Sequence, residues 1–470
     1  MKENVGVLLA VSSLPGNHGI GDFGENSYKF IDWLVKHNYK YWQVLPLNPL
    51  GPGYSPYMST CSEALETRYI SLDMLVKEGL LKRVPKYRPC AGKVDFQKVE
   101  EFKEKYLRIA FKNYKKGTSK QFDKFKKNNP WVIPYSVFIV FRRLNWLRSW
   151  NTWPIEQITY FDNNSGYPKG YEDECDFHAF MQMIAYKQWN KVWAYARKKK
   201  ITIIADCPFY VGIDSTDCWL HKEQFLFDEK YNPTMVSGVP PDCFSEDGQL
   251  WGTPIYDFEK MKQDNYSFLV NRIGYLATTC DQLRLDHFRA WDTYCVIPGG
   301  DGNARRGEWK VGPRYDFFNA LYAKYPNIKL IAEDLGDLFQ GVHDLRDYYK
   351  LPGMFIMEFC IFDVNAHSKE TQLVYTGTHD NQTLKGWLKS LPEENINFLK
   401  NKFPHSKSLL KDVFEYTWNV PSYMTIFPLQ DLLGLDDRAR MNYPGTVGSP
   451  NWEWKLRDMS WMNKIRFGNK

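Results

Sequence analysis

The 470-residue sequence lacks the local signatures of several large classes of protein. No apolar run approaches the roughly 18 residues that cross a bilayer, which argues against a membrane-spanning chain. Its nine cysteines, at positions 61, 90, 175, 207, 218, 243, 280, 295 and 360, are odd in number and scattered, with no CxxC pair. They read as free thiols in a reducing compartment, and the expected location is cytoplasmic. Histidines and cysteines show no ligand spacing, so no metal is expected. No GxGxxG follows an early strand and no GxxxxGK[ST] occurs, so neither a dinucleotide cofactor nor an ATP site is expected. There is no internal repeat and no low-complexity tract. Charge of one sign is also scarce: 61 basic residues oppose 55 acidic ones, a net charge of +6. Residues 111 to 130 hold seven lysines and one aspartate, as much net charge as the whole chain. Phe111, Tyr114, Phe122 and Phe125 interleave with those lysines, as a nucleic-acid-binding strip would require. The alternative, which we prefer, is an amphipathic insertion with solvated lysines and buried aromatics, so no nucleic acid is expected as a partner.

What is present is a series of short apolar runs, each ending in polar residues or glycine. They are VGVLLA at 5–10, YWQVLP at 41–46, ITIIADCP at 201–208, LRLDHF at 283–288, IKLIAEDLG at 328–336, MFIMEFC at 354–360, LVYTGTHD at 373–380 and MTIFPLQD at 424–431. The first resembles a short signal segment, but it lacks a cleavage site and reads as a buried strand. Strands buried on both faces lose alternation, and the stretches between these eight are mostly long enough for a crossover helix. The expected fold is therefore an α/β class (β/α)8 TIM barrel, with a doubly wound sheet as the alternative. Residues 26–38 read as one outer helix, with Phe30, Leu34 and His37 on its inner side and Ile31 and Val35 widening the stripe. The second-to-third strand connection needs a large insertion, bounded at 58–198 and mostly helical, with helices over 96–114 and 178–198. Residues 219–258, rich in Pro, Gly and aromatics, read as a loop over a cleft or as a plain surface loop.

Barrel chemistry sits where strands end, because that rim collects side chains from separate loops. Asp206, Asp286, Glu333, Asp380 and Gln430 follow apolar strand cores. Two carboxyl groups flanking a glycosidic bond are the requirement of sugar transfer, and Asp286 with Glu333 is the best pair. Arg284, two residues before Asp286 on the same strand face, is expected to hold that carboxylate ionised, as a nucleophile requires. Glu333 leaves an apolar strand, so desolvation should raise its pKa toward that of a proton donor. The same carboxylates suit helix capping, which leaves the assignment open on residues alone. Trp251 suits stacking on a sugar face, and Tyr54, in the shaped turn GPGYSPY, suits polyol recognition; both also suit plain packing. His287 and His379 each adjoin an aspartate and can bond sugar hydroxyls or serve as core histidines.

The longer strings resemble one family almost end to end. They are SSLPGNHGIGDFG at 12–24, YWQVLPLNPLGPGYSPY at 41–57, ADCPFYVGIDSTDCW at 205–219, GVPPDCFSEDGQLWGTPIYD at 238–257, LRLDHFRA at 283–290, GEWKVGP at 307–313, AEDLG at 332–336, LPGMFIMEF at 351–359, TGTHDN at 376–381 and MNYPGT at 441–446. The sequence is similar to the 4-alpha-glucanotransferases called amylomaltases or disproportionating enzymes, glycoside hydrolase family 77. The resemblance implies a single amylase-type barrel over 1–470 without a separate C-terminal β domain. It implies retaining transfer of alpha-1,4-glucan segments between maltooligosaccharides, with glucose as an acceptor and starch- or glycogen-derived glucans as further substrates. It assigns Asp286 as nucleophile, Glu333 as acid/base and Asp380 as the third carboxylate. Arg284, His287 and His379 then lie beside the reacting sugar, and Tyr54, Asp214, Asp242, Gln249 and Trp251 line or cover the glucan groove. Cys207, Cys243 and the segment MSTCSEALETRYISL depart from the family's usual pattern, which touches packing and acceptor contacts. A hydrolase on the same barrel and a noncatalytic binding protein are the rival readings, and oligomeric state is left open.

Overall fold

A computed structural model describes residues 3–115, 117, 120–241 and 246–468 of the chain. Twelve strands form two sheets. In chain order they are β1 (Val5–Leu8), β2 (Tyr41–Gln43), β3 (Thr202–Cys207), β4 (Met235–Val239), β5 (Gln249–Pro254), β6 (Gln282–Leu285), β7 (Thr293–Pro298), β8 (Glu308–Val311), β9 (Leu330–Ala332), β10 (Gly353–Ile356), β11 (Gln372–Tyr375) and β12 (Met424–Pro428). Eight of them pair in the order β10-β11-β12-β1-β2-β3-β6-β9. Every pairing within that sheet is parallel. The two edges meet where Ala332 N donates to Pro352 O at 2.9 Å, so the sheet curls into a (β/α)8 barrel. All eight apolar runs of the sequence are barrel strands.

Close strand packing at the barrel centre explains a glycine. A Cβ on Gly6 of β1 would stand 2.5 Å from Tyr41 Cβ and 2.7 Å from Ile426 Cδ1. On the outside, helix Glu25–Lys36 buries Phe30, Ile31 and Leu34 as its pattern predicts. Val35 is 43% exposed, however, and Trp33 takes the inner place. The Trp33 indole donates to Met462 O at 3.0 Å, so the C-terminal segment covers that side of the helix.

Within the long insertion, Phe96–Tyr114 and Glu172–Lys198 are helices, as the spacing predicts. The first buries Phe96, Val99, Leu107, Ala110 and Phe111 but also Lys103, while Ile109 is turned outward. Lys103 is tolerated inside because its Nζ donates to Arg68 O at 2.6 Å and Ile70 O at 2.9 Å. Helix Glu172–Lys198 buries fifteen residues and leads directly into β3, which makes it the crossover of that barrel unit rather than part of a peripheral insertion. Its buried Gln182 and Gln188 bond the backbone of Leu65 and Ser71, pinning the segment that follows β2.

The region 219–258 is more ordered than a loop. It carries β4 and β5, which join β7 and β8 in an antiparallel sheet of order β5-β4-β7-β8. After β12 the described residues contain helical turns and no strand. No described helix is long and apolar enough to cross a membrane.

Candidate active site

The rim beyond the barrel strands gathers carboxylates from four separate strands. Asp206 ends β3, Asp286 follows β6, Glu333 follows β9 and Asp380 follows β11. Arg284 of β6 ties the first two together. Its Nη1 donates to Asp206 Oδ1 and Oδ2 at 2.8 and 2.7 Å and to Asp286 Oδ1 at 2.9 Å. Arg284 thus serves Asp206 as well as Asp286. One guanidinium is divided between two carboxylates, and burial together with the neighbouring Asp206 and Asp380 charges raises Asp286 to about 7. Asp286 is therefore poised around neutrality rather than firmly ionised.

Among the described residues no cation contacts Glu333 in this way. Its Oε2 accepts a hydrogen bond of 2.6 Å from the His287 backbone N–H. Burial first, and then the adjacent Asp286, push its carboxyl well above the usual carboxylate range. The two groups titrate as a pair, and the proton of the pair resides on Glu333, because Arg284 contacts Asp286 directly. His287 supplies that N–H from a left-handed backbone, φ 50°, immediately after the nucleophile candidate. Burial lowers its imidazole to about 3, so the ring is neutral. The edge of Trp251 meets this ring at 4.8 Å between centroids, and the Trp251 indole donates to Gln249 Oε1 at 3.2 Å. The small antiparallel sheet, through β5, thus carries Trp251, and Gln249 with it, to the His287 ring beside the carboxylates.

Asp380 is held from the chain's C-terminal part. Asn442 Nδ2 donates to its Oδ1 at 2.6 Å, and Arg440 Nη2 donates to its carbonyl at 2.8 Å. His379 Nε2 lies 3.4 Å from Asp380 Oδ2, and burial lowers the His379 pKa, which keeps the ring neutral. Tyr57 joins the two halves of the site. Its hydroxyl donates to Asp206 Oδ2 at 2.8 Å, and its ring stacks on His379 at 5.1 Å. Asp206 is legible in the sequence as a strand-end carboxylate without an assigned role, whereas Tyr57, Arg440 and Asn442 are site residues that sequence reasoning did not select. Their motifs were visible, but nothing in a linear string shows which side chains turn inward.

Three expected groove residues stand away from the carboxylates or outside the described residues. Tyr54, at φ 61°, stacks on Phe96 at 4.7 Å beneath the Arg68 guanidinium, against the insertion and not against the carboxylates. The shaped turn therefore delivers Tyr57 to the centre, while Tyr54 faces the first insertion helix. Asp214 accepts from Arg142 Nε at 2.6 Å, which fastens the loop after β3 to helix Val132–Leu144. Asp242, with Cys243, lies outside the described residues.

One group of potential metal ligands does converge. Donor atoms of Cys61, Glu63 and Asp217 lie within 4.8 Å of one another. Internal hydrogen bonds already use them: Cys61 Sγ donates to Glu63 Oε2 at 3.5 Å and Ser62 N donates to Asp217 Oδ2 at 2.9 Å. Burial and the Asp217 charge raise Glu63 to about 7, and burial keeps the Cys61 thiol protonated. The eight described cysteines are all free thiols, as their spacing predicts.

Comparison with known proteins adds an independent finding. The sequence profile of glycoside hydrolase family 77, 4-alpha-glucanotransferase, matches residues 9–460. The 4-alpha-glucanotransferase of Streptococcus pneumoniae TIGR4 is 35% identical, covering 97% of this chain and 94% of that protein. The chloroplastic/amyloplastic 4-alpha-glucanotransferase of Solanum tuberosum is 36% identical over 97% of this chain and 82% of its own length. Among solved structures, amylomaltase from Streptococcus agalactiae, in complex with acarbose, superposes with a TM-score of 0.93 at 32% identity, covering 98% of both chains. Amylomaltase from Corynebacterium glutamicum shares the fold, with a TM-score of 0.76 at 17% identity, over 98% of this chain and 72% of that one.

Proposed function

The chain belongs to the 4-alpha-glucanotransferase family, glycoside hydrolase family 77, and transfers alpha-glucan segments; from that premise we propose that Asp286, Glu333 and Asp380 carry the reaction by retaining double displacement. Glu333 protonates the leaving alpha-1,4 oxygen while Asp286 attacks the anomeric carbon, breaking the glycosidic bond and forming a glucosyl ester. The deprotonated Glu333 then takes the proton of the acceptor's 4-hydroxyl as that oxygen displaces Asp286. Two inversions preserve the alpha configuration, and no cofactor is consumed.

The observation that carries this reading is the asymmetry of the central pair. Arg284 contacts Asp286 at 2.9 Å, whereas Glu333 accepts only a backbone N–H. That arrangement favours a carboxylate at Asp286 and a carboxylic acid at Glu333, the protonation states that nucleophile and acid require. Asp380, anchored by Asn442 and Arg440, binds donor hydroxyls more strongly in the distorted transition state than in the ground state. Arg284, His287 and His379 border the reacting sugar. Trp251, with Gln249, gives an acceptor sugar an aromatic face, which raises its effective concentration over water. Asp242, Asp214 and Tyr54 serve the outer groove. Donors are maltooligosaccharides, glucose is an acceptor, and starch- or glycogen-derived glucans are the larger substrates; neither nucleic acid nor a membrane is a partner, and the site of action is the cytoplasm.

Incubation with maltotriose tests the reading: transfer yields glucose plus a ladder of longer maltodextrins. Products that are only shorter, with one new reducing end per cleavage, would make the chain a hydrolase. Glu333→Gln should lower the rate about a hundred- to ten-thousandfold, and Asp286→Asn should prevent trapping of the glucosyl ester. Folded variants with unchanged transfer would overturn the assignment.

A further inference from the structure

One buried acid beside the site has no place in the chemistry just described. Glu358 follows β10, and its backbone N–H donates to Thr376 O at the end of β11, at 3.1 Å. Its side chain is 6% exposed, and Oε1 has no hydrogen-bond partner. Gly377 allows this close approach. A Cβ there would stand 2.8 Å from Asn381 Cβ and 3.1 Å from Glu358 Oε1. Glu358 Oε1 and the Asn381 side chain thus face each other across Gly377. Asn381 Oδ1 is taken, accepting from Thr378 N and Thr378 Oγ1 at 2.9 Å each, so the Asn381 amide nitrogen is the atom left for Glu358. Thr378 Oγ1 in turn accepts from Asp380 N at 3.3 Å. A continuous set of contacts therefore runs from Glu358 through Asn381 and Thr378 to Asp380.

The surroundings determine which form of Glu358 fits. Asp431 and Asp437 face it as further carboxylates, and Arg440 is the cation facing it. Arg440 is engaged with the carbonyls of Asp380 and Asn442. Asp431 accepts from Thr376 Oγ1 and Leu384 N, and Asp437 from Gln382 Nε2 and Thr383 N. Ionised Glu358 would add a buried charge without a dedicated counterion, which burial alone disfavours strongly. The neutral acid accepts from Asn381 without that cost.

We propose that Glu358 is a positioning residue for transfer, acting as a neutral acid that fixes Asn381 and through it the 377–381 turn that presents Asp380 to the sugar. The proposal rests on the role given to Asp380 above. The turn holds a group that acts in the transition state, so loosening it should lower kcat more than it raises KM. Glutamine reproduces the shape and hydrogen bonding of a protonated glutamate, so it should rescue where an apolar residue fails.

The test is maltotriose kinetics on Glu358→Leu, Glu358→Gln, Asn381→Ala and Asp380→Asn, with a thermal melt on each. The expected result is a fall in kcat of about tenfold or more for Glu358→Leu with KM changed less than about threefold, and a Glu358→Gln enzyme within about threefold of the parent. A purely structural role would lower the melting temperature and leave kcat unchanged at temperatures well below it. Glu358→Leu with parental kcat overturns the proposal, as does Glu358→Gln impaired as deeply as Glu358→Leu. If Glu358→Leu does not fold, Asn381→Ala decides, because a folded, full-rate Asn381→Ala enzyme removes the link. Asp380→Asn separates the two claims: full activity there would sink the role of Asp380 itself. An inactive Asp380→Asn enzyme beside a full-rate Glu358→Leu enzyme would sink only the role of Glu358.

Discussion

Arg284 shows how much of this site is decided by single atoms. Its Nη1 serves three carboxylate oxygens, two on Asp206 and one on Asp286. In the proposed mechanism Asp286 attacks as a carboxylate and Glu333 acts as an acid, so kcat/KM should rise with pH as Asp286 deprotonates, with a limb near the value of about 7 that its surroundings impose. Glu333 must keep its proton, so activity should fall at higher pH as Glu333 ionises. Asp206→Asn tests the sharing. It removes one negative neighbour of Asp286 and leaves more of the Arg284 charge to it, and both changes lower the Asp286 pKa. The acid limb of kcat/KM should move to lower pH in that variant; an unmoved limb, or one moved upward, would refute the shared-cation account. His287 belongs to the same scale. Its left-handed backbone aims an N–H at Glu333, while its neutral ring buttresses Trp251, so one residue spaces both the acid and the aromatic platform.

At the scale of elements, the barrel and the small sheet do different work. The barrel's central strand tolerates no side chain at Gly6, where β1 lies between β2 and β12. Gly6→Ala should cost about 1–3 kcal/mol of stability through overpacking. A urea denaturation midpoint that fell clearly, with an unchanged slope, would bear this out. The small sheet, on the proposed reading, serves acceptor binding more than stability. Trp251 stands on its edge strand β5 and meets the site through an aromatic contact of the kind worth about 0.5–1.5 kcal/mol. Trp251→Ala should therefore raise KM for acceptor glucose about two- to tenfold, with little loss of melting temperature. These elements also differ in legibility. Barrel strands are buried on both faces and announce themselves as continuous apolar runs. β8, of pattern Glu-Trp-Lys-Val with three exposed positions, and β4, with Ser237 and Gly238 inside it, carry no such signal. Antiparallel pairing makes them strands, β8 with the preceding β7 and β4 with the following β5 and with β7.

Across the whole molecule, the accessible surface of 21,341 Å² exceeds the roughly 18,000 Å² expected for a compact chain of this mass, in keeping with a barrel that carries large excursions. Those excursions are fastened polar group by polar group: Arg108 to Glu174, Arg143 to Glu104 and Arg142 to Asp214. The lysine-rich stretch lies on them. Phe111 and Phe122 are buried there, and the Lys126 ammonium sits 4.4 Å from the Phe122 ring centre. Lys112, Lys120, Lys124 and Lys127 are exposed. Two of its four aromatics, Phe111 and Phe122, are turned inward, while Tyr114 and Phe125 are half-buried. Replacing those four lysines together with glutamine should leave maltotriose transfer within about twofold, since surface charges distant from a neutral substrate contribute little. A gel-shift assay at physiological salt should show no duplex DNA binding for either protein.

The sequence by itself determined that eight apolar segments end in polar residues, that Asp286, Glu333 and Asp380 stand at three of those ends, and which family the strings resemble. Local pattern suffices for such features, because burial on both faces of a strand is written into consecutive residues. Tertiary structure alone decided that Tyr57 and not Tyr54 reaches the centre, that Arg284 is divided between two aspartates, and that Glu358 lies buried behind the turn bearing Asp380. Protonation and orientation depend on charges and donors brought from separate strands, and no window along the chain contains both members of such a pair.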